Sequence, residues 1–205
     1  MKSLVEPDEL KKRMLTLAAL DIIFCEEDWL RYYNFDSQWA PNVSLATIDN
    51  GSGDNLFILF ASEGVIMKGF DHESGLSPYA REEDEVFPSI YDQTPASLLA
   101  LLDDEAFEKE DVTFCIWREI NDTTWRKGDV QIPKDEEDGS EFLLSMIVKT
   151  PEDYVEWAQD YYDIPISIEV IKKIYDGSTI EEAVIQSLNP SRNAQDALRE
   201  LDILV

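Results

Sequence analysis

Residues 44–71 read SLATIDNGSGDNLFILFASEGVIMKGFD, and this stretch decides the fold. It holds three short runs rich in apolar, β-branched and aromatic residues: Ser44–Asp49, Asn55–Ser62 and Val65–Asp71. Between them stand Asn50-Gly51-Ser52-Gly53 and Glu63-Gly64. Short glycine-containing breaks between such runs are the local signature of hairpins, so the spacing predicts a three-stranded antiparallel meander. Leu56-Phe57-Ile58-Leu59-Phe60 is apolar at every position. Neither face of that strand reads as solvent-facing, and it is predicted to be central and covered on both sides.

Upstream of the meander, Pro7 with Glu6, Asp8 and Glu9 marks a helix start, and Leu10, Met14, Leu17 and Ala18 make one apolar stripe. A second helical stretch is predicted over Cys25–Asn34, with Trp29, Leu30 and Tyr33 on one face, ending before Pro41. Downstream, a helix is predicted over Pro95–Leu102 and a strand over Val112–Glu119. The last third reads as helical. Thr150-Pro151-Glu152-Asp153 opens one helix with the stripe Tyr154, Trp157, Ala158 and Tyr161, and Ile164-Pro165 closes it. The next is expected over 166–175, stopped near Gly177. Ser178 and Thr179, each three residues before a glutamate, have capping-box spacing, and Ser191 is expected to cap a final helix through Ala194, Leu198 and Leu201. The fold class is therefore α+β: an antiparallel sheet of the meander plus at least one further strand, an N-terminal helix, and a C-terminal cluster of helices. The expectation is one domain over residues 1–205, with 150–205 as a helical subdomain within it.

The chain has 205 residues, 44 acidic and 17 basic, for a formal net charge of −27. A phosphate-binding protein needs a basic face, so nucleic acid is excluded as a partner, and an anionic membrane surface is disfavoured on the same ground. With 44% hydrophobic and 11% aromatic residues the chain is not of disordered composition. No apolar run that could serve a signal peptide follows the polar N-terminus, and stretches such as Leu56–Ala61 are far below the roughly 20 residues a bilayer requires. Cys25 and Cys115 each sit in an apolar run, read as buried reduced thiols, and no C-x-x-C pair exists. The expected location is cytoplasmic.

The acidity is uneven. Asp71–Glu141 holds 21 acids against six bases, a net −15, more than half of the total. It is concentrated in three runs: Glu82-Glu83-Asp84-Glu85, Asp103-Asp104-Glu105 and Asp135-Glu136-Glu137-Asp138. Each alone reads as a solvated loop or helix end. Together they could form one field for a basic protein partner, with Glu82, Glu83, Asp84, Glu85, Asp135, Glu136, Glu137 and Asp138 as the candidate contact residues.

Several catalytic and cofactor signatures are missing. There is no phosphate-binding G-x-x-x-x-G-K, no nucleophile elbow, and no third glycine after Gly51-Ser52-Gly53. A single histidine excludes H-E-x-x-H. If Gly139 held the sixth position of a calcium loop, the first and twelfth would be Lys134 and Ser145, so both essential carboxylates are wanting. No cofactor and no metal is predicted. The histidine itself, His72, stands where the third strand should open into a turn, a place where side chains are displayed on a rigid scaffold. Asp71 and Glu73 flank it but point to the opposite face in extended backbone, so Glu119, at the end of another predicted strand, is the expected carboxylate partner. A turn-closing histidine is the plainer reading. If the protein is an enzyme, His72, Asp71, Glu73, Glu119 and Arg118 are its candidates. Trp117-Arg118-Glu119 and Trp125-Arg126 read more simply as structural pairs of an arginine with a carboxylate or a ring. Trp29, Tyr32, Tyr33, Phe35 and Trp39 read as core before they read as a binding platform.

Asp49-Asn50-Gly51-Ser52-Gly53-Asp54, Gly69-Phe70-Asp71-His72-Glu73-Ser74, Ser77-Pro78-Tyr79, Phe114-Cys115-Ile116-Trp117-Arg118 with Trp125-Arg126, and Tyr161-Tyr162 resemble a group of small acidic bacterial proteins of uncharacterised function. In general style the chain is also similar to the immunity proteins that bacteria encode beside secreted toxins. That second resemblance implies a non-enzymatic acidic interaction module that neutralises a basic partner. The alternative is a small enzyme of unknown reaction class with its site around His72.

Overall fold

The structure is a computed structural model, and it describes residues 4–81 and 85–204. Helix α1 spans Pro7–Phe24, with proline in its first turn and Asp8 and Glu9 at the positive end of its dipole. Leu10, Met14 and Leu17 face inward as their spacing requires. From Ala18 to Phe24 every residue is buried, so the second half of α1 is enclosed all round. The strands are β1 (Tyr33–Ala40), β2 (Val43–Asp49), β3 (Asn55–Ala61), β4 (Gly64–Phe70), β5 (Phe114–Glu119) and the short β6 (Arg126–Lys127). They form one sheet in chain order, every neighbouring pair antiparallel.

The predicted meander is β2–β3–β4, and Leu56–Phe60 lies in the sheet interior as its two-faced apolarity requires. Leu56, Ile58 and Phe60 join a core shared with α1, whereas Phe57 and Leu59 face a second core on the other side. That second core comes from the segment between β4 and β5, where Ile90, Leu98, Leu102, Phe107 and Val112 cover the sheet. The segment includes α2 (Ala96–Leu99), continued by a 3-10 turn over Ala100–Leu102 within the predicted helical range. After β6 come α3 (Ser140–Ser145), α4 (Pro151–Tyr162), α5 (Ile168–Tyr175), α6 (Glu182–Leu188) and α7 (Ala194–Leu204). Their apolar residues belong to the same core as α1 and the sheet's first face.

Three local expectations are corrected. Cys25–Asn34 is not a helix: a single 3-10 turn covers Asp28–Leu30, and β1 begins at Tyr33. Two side chains redirect the chain here. The buried Asp21 carboxylate accepts the Tyr33 backbone N–H at 2.7 Å, and the Arg31 guanidinium donates to the carbonyls of Cys25 and Glu26. Those carbonyls would otherwise continue a helix. Ser178 and Thr179 form no capping box, since α6 starts beyond them with Glu181 at its N-cap and no side-chain cap bond. Ser191 does not cap α7; Asn193 does, its Oδ1 accepting the N–H groups of Gln195 and Asp196. The box at Thr150 and Asp153 is complete, each side chain accepting the other's backbone N–H.

Candidate functional site

The antiparallel register sorts the loops to two ends of the sheet. At one end β2 and β4 finish while β1, β3 and β5 begin. This end gathers Glu26, Glu27 and Asp28 before β1, Asp49 and Asp54 around the β2–β3 turn, Asp71 and Glu73 after β4, and Glu108, Glu110 and Asp111 before β5. At the other end lie the turns at 41–42 and 62–63, with Arg118, Glu119 and Asp122.

His72 sits at the acidic end, and its partner is Asp54, not Glu119. One Asp54 oxygen accepts both the His72 backbone N–H at 3.0 Å and the imidazole Nδ1 at 2.7 Å; the other accepts Asn50 Nδ2 at 2.6 Å. Glu119 is paired with Gly64, the first residue of β4, while His72 follows the last, so about 20 Å of strand separates them. Arg118 is at that far end too, its guanidinium making a two-pronged pair with Glu6 at 3.0 and 2.8 Å, the structural reading of this arginine. The five candidates His72, Asp71, Glu73, Glu119 and Arg118 therefore form no single site.

Burial pushes the Asp54 carboxyl up, but the hydrogen bonds from His72 and Asn50 outweigh it and hold the group below its ordinary value. The hydrogen bond to Asp54 in turn raises the His72 imidazole above its ordinary value, against slight desolvation. With Nδ1 engaged, Nε2 is the ring's remaining nitrogen on a half-exposed side chain. Asp54, Asp71 and His72 also offer one donor atom each within 4.8 Å, the set among the described residues with metal-ligand spacing. Both Asp54 oxygens already accept hydrogen bonds, Oδ1 two from His72 and Oδ2 one from Asn50.

The third acidic run is folded onto this turn. Ser74 Oγ donates to the Glu137 carbonyl at 2.6 Å, and the buried Thr113 hydroxyl donates to the Asp138 carbonyl at 2.7 Å while accepting the Asp71 N–H at 3.2 Å. Gly139, at φ 76°, backs directly onto Asp71: a Cβ there would stand 2.3 Å from the Asp71 Cβ. The backbone is thus fixed at Glu137 and Asp138 while Asp135, Glu136 and Glu137 stay exposed, an acidic ridge beside the acidic turn. Behind it a cleft of about 760 Å³ is lined by Glu136, Glu137, Asp138, Leu4, Val5, Leu144 and Lys127 among others, but not by His72.

The second acidic run lies close by. Asp103, Asp104 and Glu105 share a shallow bay of about 640 Å³ with Glu108, Lys109, Glu110 and Asp111. Asp111 accepts the Tyr79 hydroxyl at 2.7 Å, and two residues later Thr113 holds the ridge. Glu85 is exposed; Glu82, Glu83 and Asp84 lie outside the described residues. On the sheet face beneath the bay, Lys68 is fully buried with Nζ 5.2 Å from the Phe57 ring centre. Burial lowers its amine to about 8, against the pull of Asp111, Glu108 and Glu110.

Neither cysteine is set up for chemistry. Burial pushes Cys115 up to about 12, and Cys25, half-buried rather than enclosed, is also raised by desolvation while its thiol donates to the Glu27 carbonyl. Among the described residues no helix is long and apolar enough to cross a membrane. No family model, curated protein or solved structure matches this chain.

Proposed function

We propose that the chain is a non-enzymatic interaction module that holds a basic protein against the acidic end of its sheet, as an immunity protein holds a cationic toxin. The observation carrying this reading is the clamped ridge. Asp135, Glu136 and Glu137 are presented on a backbone fixed by Ser74 and Thr113, beside Asp71, Glu73 and the 103–111 bay. Carboxylates gathered at one end in excess of their cations, of which Lys109 pairs with Asp103 and Lys127 stands 4.0 Å from Asp138, create a directed negative potential, which steers a cationic partner and raises its rate of association. The test is affinity for a purified basic protein encoded beside this one, measured for wild type and for the triple variant D135N/E136Q/E137Q. These substitutions keep shape and leave Asp138, which bonds Ser140, in place. The expected result is loss of association rate in the variant and a steep fall in wild-type affinity between about 0.1 M and 1 M salt, where the Debye length shrinks from about 10 Å to 3 Å. Equal affinity for both proteins at every salt concentration would reject the reading.

The Asp54–His72 pair favours a second reading, a small enzyme that uses His72. It retains Asp71 from the sequence candidates and gains Asp54, but loses Arg118 and Glu119 to the other end of the sheet. Loss of biological effect in His72→Ala with partner affinity unchanged would put this reading in place of the first.

A further inference from the structure

The loop before β1 carries an apolar feature that the core does not use. Trp29 is 74% exposed and Leu30 48% exposed, and the three residues before them, Glu26, Glu27 and Asp28, are all exposed acids. A tryptophan left in water on a flexible tip would mean little. This one is held. The Asp28 carboxylate accepts the Trp29 N–H at 2.8 Å, and the 3-10 turn is closed by Leu30 N–H to Glu27 and Arg31 N–H to Asp28. From behind, buried Arg31 bonds the carbonyls of Cys25 and Glu26 and is itself anchored by Glu200 of α7 at 2.5 Å. One residue further on, Tyr32 packs against Trp157 and Tyr161 of α4, with centroids 4.9 and 5.5 Å apart, and Tyr161 is itself exposed. The Trp29 indole N–H reaches Glu27 Oε2 at 3.3 Å, an edge contact that leaves the ring face in solvent.

We propose that Trp29 and the acids of its turn are the anchor for an arginine side chain of the basic partner. This rests on the preceding reading of the acidic end as the partner face, which this loop shares. The chemistry selects arginine over lysine. A guanidinium lies flat on an indole face and still presents its planar fork of N–H donors to a carboxylate, here Glu27 or Asp28. An ammonium is a compact, strongly hydrated charge that gains less from either contact. Because Arg31 and Glu200 hold the turn in place, little conformational freedom is lost when the anchor is filled, which is the condition under which one exposed aromatic residue becomes a dominant contact.

The test uses two synthetic peptides of equal charge, octa-arginine and octa-lysine, titrated calorimetrically into wild type, Trp29→Ala and Trp29→Phe at low salt. Octa-arginine is expected to bind wild type about two- to fivefold more tightly than octa-lysine. That preference is expected to vanish in Trp29→Ala and to survive in part in Trp29→Phe, with octa-lysine affinity the same in all three proteins. Equal affinity of the two peptides for wild type, or an unchanged preference in Trp29→Ala, would overturn the anchor and leave the acidic partner face standing. Failure of both peptides to bind wild type would reject the partner face itself, and the anchor with it.

Discussion

His72 was legible in the sequence and its partner was not. The sequence marks the end of β4, but Asp54 is 18 residues away, and only pairing outward from the Glu63-Gly64 turn brings it close: Asn55 faces Phe70, so the residues just beyond them meet. The signal was available in the register of the predicted hairpin. As the sole histidine, His72 gives a single imidazole resonance, and its NMR titration is expected to show a midpoint above 6.5, falling back towards 6.5 in Asp54→Asn. The stabilisation this pair supplies is then present below pH 6.5 and lost as pH rises through the folded value. A midpoint unmoved by Asp54→Asn would remove the pair from the account. Asp21 makes a second test. Burial raises its carboxyl from 3.8 to about 7, against hydrogen bonds from the Tyr33 N–H and the Tyr162 hydroxyl. A raised folded value means stability is full below the unfolded value and declines as pH climbs to 7, by about 4 kcal/mol over the whole range. Asn can still accept the Tyr33 N–H, so Asp21→Asn should flatten the decline and be the more stable protein at about pH 8, read from urea unfolding. Parallel pH profiles for the two proteins would contradict this.

Among elements, several local signals held, others such as the capping spacing at Ser178 and Thr179 and the cap at Ser191 did not, and those decided by a distant side chain were not readable. Pro7, the helix start at Thr150-Pro151 and the glycine breaks of the meander act within a few residues, and all three stand. The helix expected over Cys25–Asn34 failed because the Tyr33 and Phe35 positions alternate inward as a strand once Asp21 and Arg31 have engaged the preceding backbone. The ridge was likewise invisible as an element: a run of four acids reads as solvated loop, and the groups fixing it, Ser74 and Thr113, are 63 and 25 residues from their acceptors. Gly139 is its hinge point. Gly139→Ala places a methyl group against Asp71 at a positive φ and is expected to destabilise the protein by roughly 1–3 kcal/mol. Amide exchange should quicken at Ser74 and Leu76, which the ridge covers, and hardly at β2. Uniform quickening through the sheet would mean the segment is no separate clamp.

For the whole molecule, net charge argues in the sequence against anionic partners, but only the antiparallel register shows where that charge stands. The acids of three loops, of the 103–111 bay and of the ridge gather at one end, while at the other Arg118 pairs with Glu6 and Arg126 with Asp122 at 3.1 Å. The α+β class and the central strand followed from hydrophobic pattern. The polarity of the sheet did not, since it depends on which strand ends fall together. The most direct test is a hydrogen-exchange footprint of the basic partner on the full chain. Protection is expected over residues 71–75, 108–111 and 135–138, with the turns at 41–42 and 62–63 unchanged. Protection confined to those turns and to 119–125 would contradict it.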